Sequence, residues 1–266
     1  MGRNRKAWVN AVLLAATLAV NTLGALGVIN GLTQKQVSDR FVTLITPGPF
    51  TFSIWGVIYS LLIAAVIVMI VKQKDPYYRK AADQISTLFW ISCLMNMAWI
   101  AAFSYEQLEI SVLFIAGLVI TLALILRKLT SIREGKRWLL PLSFGLYTGW
   151  LFIATVVNVA AALVKVNWNR LGIADPVWAA IMLTASLALV IGVLLKLRNA
   201  VFPLPVAWAY FGIYQFLRSP EGFNGVYGYL QVLALAGMAV LICASALAFF
   251  RNRFSVLPGT MNHGRA

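Results

Sequence analysis

The sequence predicts an all-α polytopic membrane protein with eight transmembrane helices. Three observations carry this reading. The 266 residues are 61% hydrophobic and 11% charged, with a mean hydropathy of +0.83, well outside the range of a soluble globular domain. Apolar runs long enough to cross a bilayer recur from end to end. The charged residues gather between those runs, and most of the 22 lysines and arginines fall on every second connection, the asymmetry that orients spans.

Composition also excludes several functions. A net charge of +14 would suit nucleic acid as partner, but the cations lie in loops between spans and form no phosphate-binding face. Cys93 and Cys243 both sit inside apolar runs, so they suggest neither a metal site nor a disulfide framework. His263, the single histidine, lies in a polar tail. No Ser-His, Cys-His, P-loop or dinucleotide motif is present.

Taken in order, Arg3, Arg5 and Lys6 precede a first span at 8–30. Its length exceeds that of a signal-peptide core, and no clear cleavage site follows. A polar loop, 31–49, leads to the second span, 50–71. A basic loop, 72–83, precedes the third, 85–105. The acidic turn with Glu106 and Glu109 opens the fourth, which ends near residue 126. The most basic loop contains Arg127, Lys128, Arg133, Lys136 and Arg137. The fifth span is 139–164 and the sixth 177–195. The seventh, 201–217, is short and opens with Pro203 and Pro205. A re-entrant loop there would move Arg251 and Arg253 to the cation-poor side, so it counts as a full span. The eighth is 226–250. This arrangement places the chain in the plasma (inner) membrane, multi-pass, with both termini cytoplasmic.

No Asp, Glu, Lys, Arg or His falls well inside a span. Buried charges usually mark ion or proton relays, so a proton-coupled pump is disfavoured. Most acid–base chemistry goes with it, and no catalytic residue, metal ligand or required cofactor is assigned. The chain reads as a non-enzymatic binder. What remains inside is aromatic and amide, with Asn21, Asn96, Asn158 and Gln231 among the spans.

These groups form stripes. In 46–59, Pro47 and Pro49 restrain the backbone, so helix can begin only near Phe50. From there Phe52, Trp55 and Tyr59 share one helical face. Asn96, Trp99 and Phe103 repeat the pattern on the third span, and Tyr147, Trp150, Ala154 and Asn158 on the fifth. At about 1.5 Å per residue, Trp55, Trp99 and Asn158 each lie about 7–9 Å below the same membrane face. Two readings fit. The stripes converge on one aromatic cavity with 31–49 as its lid, or each is plain helix packing with Asn as interhelical glue. Gly145 and Gly149 favour close packing on the fifth span, and Ala98 and Ala102 offer small residues for a homodimer face.

The first five spans resemble the translocator protein family, also called tryptophan-rich sensory or peripheral benzodiazepine receptor proteins (TspO/MBR). The second-helix pattern of that family is similar to Phe52-Ser-Ile-Trp55-Gly-Val-Ile-Tyr59. Its third-helix pattern is similar to Leu94-Met-Asn96-Met-Ala98-Trp99-Ile-Ala-Ala-Phe103. Its fifth-helix pattern is similar to Tyr147-Thr-Gly-Trp150-Leu-Phe-Ile-Ala154-Thr155-Val-Val-Asn158. The resemblance covers about 1–168 and implies a five-helix bundle there, followed by a three-helix extension with a basic tail at 169–266. It implies a pocket for porphyrins, sterols or isoprenoids lined by Trp55, Asn96, Trp99, Tyr147, Trp150 and Asn158. A porphyrin or haem-type molecule is then the expected ligand, and the bilayer the other partner. Some bacterial members are reported to break down protoporphyrin at tryptophans matching Trp55 and Trp150. A transporter, with the extra helices completing a path, is the other alternative. The departures are specific. The family's Trp-x-Pro-Pro lid is reduced to Pro47-Gly48-Pro49, its prolines after the helix-three Trp are Ile100 and Ala101, and its terminal sterol motif is absent. A sterol-type pattern falls instead at Val71, Tyr77 and Arg79, a weak signal of its kind. Pro205, Trp208, Gly212 and Tyr214 faintly echo the 46–59 stretch.

Overall fold

The computed structural model describes residues 3–132 and 138–258; the predicted basic-loop residues Arg133, Lys136 and Arg137 and the tail with His263 lie outside them. Among the described residues every regular element is helical: α1 (Arg3–Ala25), α2 (Gln34–Arg40), α3 (Ile54–Val71), α4 (Pro76–Ser104), α5 (Leu108–Ser131), α6 (Leu139–Lys165), α7 (Asp175–Leu197), α8 (Pro203–Arg218) and α9 (Gly228–Arg251), with short 3-10 turns at Pro49–Ser53 and Arg170–Gly172. Seven of them are long and apolar enough to cross a membrane. The expected seventh span is α8, a continuous helix of 16 residues, or about 24 Å.

Two elements differ from the sequence reading. The expected loop 31–49 contains α2, which starts on a capping box: Gln36 N donates to Thr33 Oγ1 at 3.1 Å, and Thr33 N donates to Gln36 Oε1 at 2.8 Å. The expected loop 72–83 becomes helix from Pro76. There Asp75 caps α4 by accepting from Tyr77 N and Tyr78 N, and Pro76 takes the first turn, where its missing N–H costs nothing. Lys6 then meets Asp83 at 3.0 Å, joining α1 to α4 at that end.

Packing departs from chain order, with α4 lying on α1 and α5, and α6 on α5, α3 and α8. In α6, Gly145 and Gly149 admit the segment Asn199–Phe202, since a Cβ at Gly149 would run into the Phe202 carbonyl. The expected close packing at this pair thus serves α8. The segment is wholly buried, and its polar groups find protein partners. Asn199 Nδ2 donates to Pro141 O at 2.8 Å, Ala200 N donates to Val256 O at 2.9 Å, and Ala200 O accepts from Ser245 Oγ at 2.5 Å. Irregular backbone is tolerated at membrane depth only when it is buried and satisfied in this way. At 16 residues, α8 is shorter than a hydrocarbon core of about 30 Å and is not among the seven helices long and apolar enough to cross one.

Candidate functional site

Site geometry begins at the turn before α3. Pro49 opens the 3-10 turn Pro49–Ser53, which hands over to α3 at Ile54. Phe52, Trp55 and Tyr59 project from this start on one face. Trp55 is the hub. Its ring stacks on Tyr59 at 4.9 Å, and its other neighbours are Trp99 of α4 at 6.4 Å, Tyr147 of α6 at 6.2 Å and Trp150 of α6 at 6.2 Å. Phe52 meets Trp150 edge-on at 6.3 Å, and Trp99 meets Phe103 at 6.3 Å. Edge-on and offset ring pairs of this kind contribute about 0.5–1.5 kcal/mol each beyond area burial.

Polar groups of the stripes are tied down behind these rings. Asn21 Nδ2 donates to Asn96 Oδ1 at 2.6 Å, and Asn96 Nδ2 donates to Tyr147 OH at 2.9 Å. The chain of bonds joins α1, α4 and α6 across the hub. Nearer the loop end, Asn158 Nδ2 donates to Ser111 Oγ at 2.8 Å, joining α6 to α5. Three other groups have no partner. Trp99 Nε1, Trp150 Nε1 and Tyr59 OH are buried without a hydrogen bond, a condition costing about 1–3 kcal/mol per group.

Two adjoining spaces meet at the hub. A small cavity of about 70 Å³ is walled by Phe52, Trp55, Trp99, Phe103, Trp150, Ala154 and Asn158, and none of its lining residues is charged. A groove of about 540 Å³ runs between α1 and α3 past Tyr59, with Lys35 at its edge. Gln34, Phe52 and Trp55 belong to both. Of the ten residues singled out in the sequence, seven wall the cavity and Tyr59 walls the groove. Asn96 and Tyr147 stand behind them as supports.

Other wall residues were not singled out. Gln34, Ser38 and Pro47 come from the 31–49 stretch, and Ala209 comes from α8. Gln34 Nε2 is a further buried nitrogen without a partner. Helix α8 also clamps the entrance turn. Gly48 N donates to Gly212 O at 3.0 Å, Trp208 Nε1 donates to Thr51 O at 3.0 Å, and Phe50 packs edge-on against Trp208 at 5.3 Å. A Cβ at Gly212 would collide with Thr51. A tryptophan thus braces the Pro47–Pro49 turn, although it comes from far along the chain. The faint echo at Pro205, Trp208 and Gly212 was the available signal.

A family model described as TSPO-like protein matches residues 7–247. The chain belongs to this family. The match continues beyond the five resembling spans into α9, so α7 and α8 lie within the TSPO-like region. With its apolar helices, this makes the chain a TspO-type membrane protein. Neither a curated protein nor a solved structure matches it. Among the described residues, no group of His, Cys, Asp and Glu is placed to hold a metal ion.

Proposed function

We propose that this TSPO-like protein binds a flat apolar small molecule of the tetrapyrrole, sterol or isoprenoid type between Trp55 and the α1–α3 groove. The observation that carries the proposal is the hub: rings from three helices surround Trp55 in an uncharged setting, with Trp99 and Trp150 Nε1 buried and unpaired beside it. The small cavity alone is too tight for such a ligand, whereas the groove falls in the size range of small-molecule sites. A flat ring lying in the groove reaches Tyr59 and Trp55 and extends toward Phe52. Gln34 Nε2, buried without a partner and lining both spaces, can only donate, so the preferred ligand carries carbonyl or carboxylate acceptors, which suits a tetrapyrrole with acidic side chains. No His, Cys or Met lines either space, so recognition acts on the ring rather than on a central metal.

The site belongs to the five-helix part at 1–168, with α8 of the extension bracing its entrance. Charge distribution supports a plasma-membrane orientation with both termini cytoplasmic and the hub near the outer face. Protoporphyrin titration tests the reading. Saturable quenching of tryptophan fluorescence is expected, and Trp55→Ala with Trp150→Ala abolishes it. Unchanged affinity in that double variant would overturn the assignment.

A further inference from the structure

A second cavity of about 150 Å³ lies at the same end of the bundle, walled by the 42–45 stretch, the end of α6, the start of α7 and the α8–α9 connection. It shares no lining residue with the hub. Four rings enclose it. Trp168 and Trp178 meet at 4.9 Å, and Phe223 and Tyr227 meet edge-on at 5.7 Å. Arg170 and Asp175 form an ion pair of 2.7 Å among the lining residues, with both side chains about half exposed. The floor is apolar, with Ile45, Leu163 and Met182.

The connection carrying Arg170 is strained. Arg170 and Leu171 hold φ of 55° and 56°, a left-handed region costly for long side chains of this kind. Such strain is retained where the surroundings over-determine it, often at ligand clamps. Here it sets the guanidinium opposite Asp175 at the cavity mouth.

We infer that this cavity binds a small zwitterion with an apolar arm, of the α-amino acid class. An exposed ion pair contributes little to stability, so a ligand with both charges can exchange with it at small cost. Its anion takes the Arg170 guanidinium, which suits two-point carboxylate binding. Its ammonium takes Asp175 and the adjoining ring faces, which attract cations. The arm enters the floor, where a space of this size takes about one six-membered ring. A zwitterionic lipid headgroup offers the same two charges, so the lipid is a second source of the same chemistry.

Equilibrium dialysis of the full-length protein with radiolabelled L-phenylalanine, in phosphatidylglycerol nanodiscs, tests this. Saturable binding is expected, weakened about tenfold or more in N-acetylphenylalanine and in phenylalanine methyl ester used as competitors. Arg170→Gln, at the exposed rim, weakens binding similarly without changing the melting temperature, and Met182→Trp blocks the arm. Phosphatidylethanolamine nanodiscs report the source: competition with phenylalanine assigns the head to lipid, and unchanged affinity assigns it to the free zwitterion. Absence of saturable phenylalanine binding in phosphatidylglycerol nanodiscs overturns the inference. So does equal binding of both capped analogues.

Discussion

The two cavities lie at one end of one bundle, yet they are built differently. The rings of the hub around Trp55 come from within α3, α4 and α6 and touch one another, and the small cavity beside them has no charged lining residue. The Trp168–Tyr227 cavity is made by helix ends and connections, and an ion pair stands at its mouth. Helical stripes place rings within the apolar layer, where a charge is expensive. Helix ends place them at the boundary, where a charged head and an apolar arm are both accommodated. On the two proposed assignments, depth separates the ligand classes more sharply than aromatic content does.

The largest test of that contrast is Trp55→Ala with Trp150→Ala. Protoporphyrin quenching is lost, while dialysis shows phenylalanine binding within about twofold of the parent; loss of both ligands would mean that the cavities are coupled. Next comes Gly149→Leu, which forces side-chain volume into the Phe202 backbone. Overpacking of this kind costs about 3 kcal/mol, seen as a lowered melting temperature in a detergent thermal-shift assay. Both ligands weaken, because α8 braces one site and leads into the loop of the other. Trp208→Phe keeps a ring but removes the bond to Thr51, a loss of about 1 kcal/mol. Protoporphyrin affinity falls about fivefold and phenylalanine affinity is unchanged, read by the same two titrations. The smallest effect is expected for Asn158→Leu, which removes the α5–α6 bond. Interhelical bonds of this type contribute about 0.6 kcal/mol on average, so a shift of only a few degrees in melting temperature is the expected outcome.

The hub was legible because its residues obey helical spacing within single spans. Phe52, Trp55 and Tyr59 need only a helix start after Pro49, and the prolines supply it. Convergence of the three stripes was an open choice between cavity and packing, and the structure contains both: seven residues wall a space while Asn96 and Tyr147 pack behind it. The helix starts at Thr33 and Asp75 went unread, because neighbouring charges made those stretches look like loop. Only the faint echo at Pro205, Trp208 and Gly212 hinted at the part played by α8. Trp208 reaches Thr51 across 157 residues, and a stripe pattern within one span carries no record of such a contact. The cavity at Trp168 gave less signal still, because three of its four rings, Trp168, Phe223 and Tyr227, come from connections where helical periodicity does not apply.

One consequence of the Asn199–Phe202 turn concerns the order in which the chain is assembled. A ribosome releases this turn and α8 before it releases Ser245, Asn252 and Val256, which later accept from or donate to the backbone of 198–200. Until then those peptide groups face lipid or the insertion machinery without their protein counterparts. The hydrogen bonds that hold 198–200 can therefore be completed only after α9 and the residues just beyond it have been made.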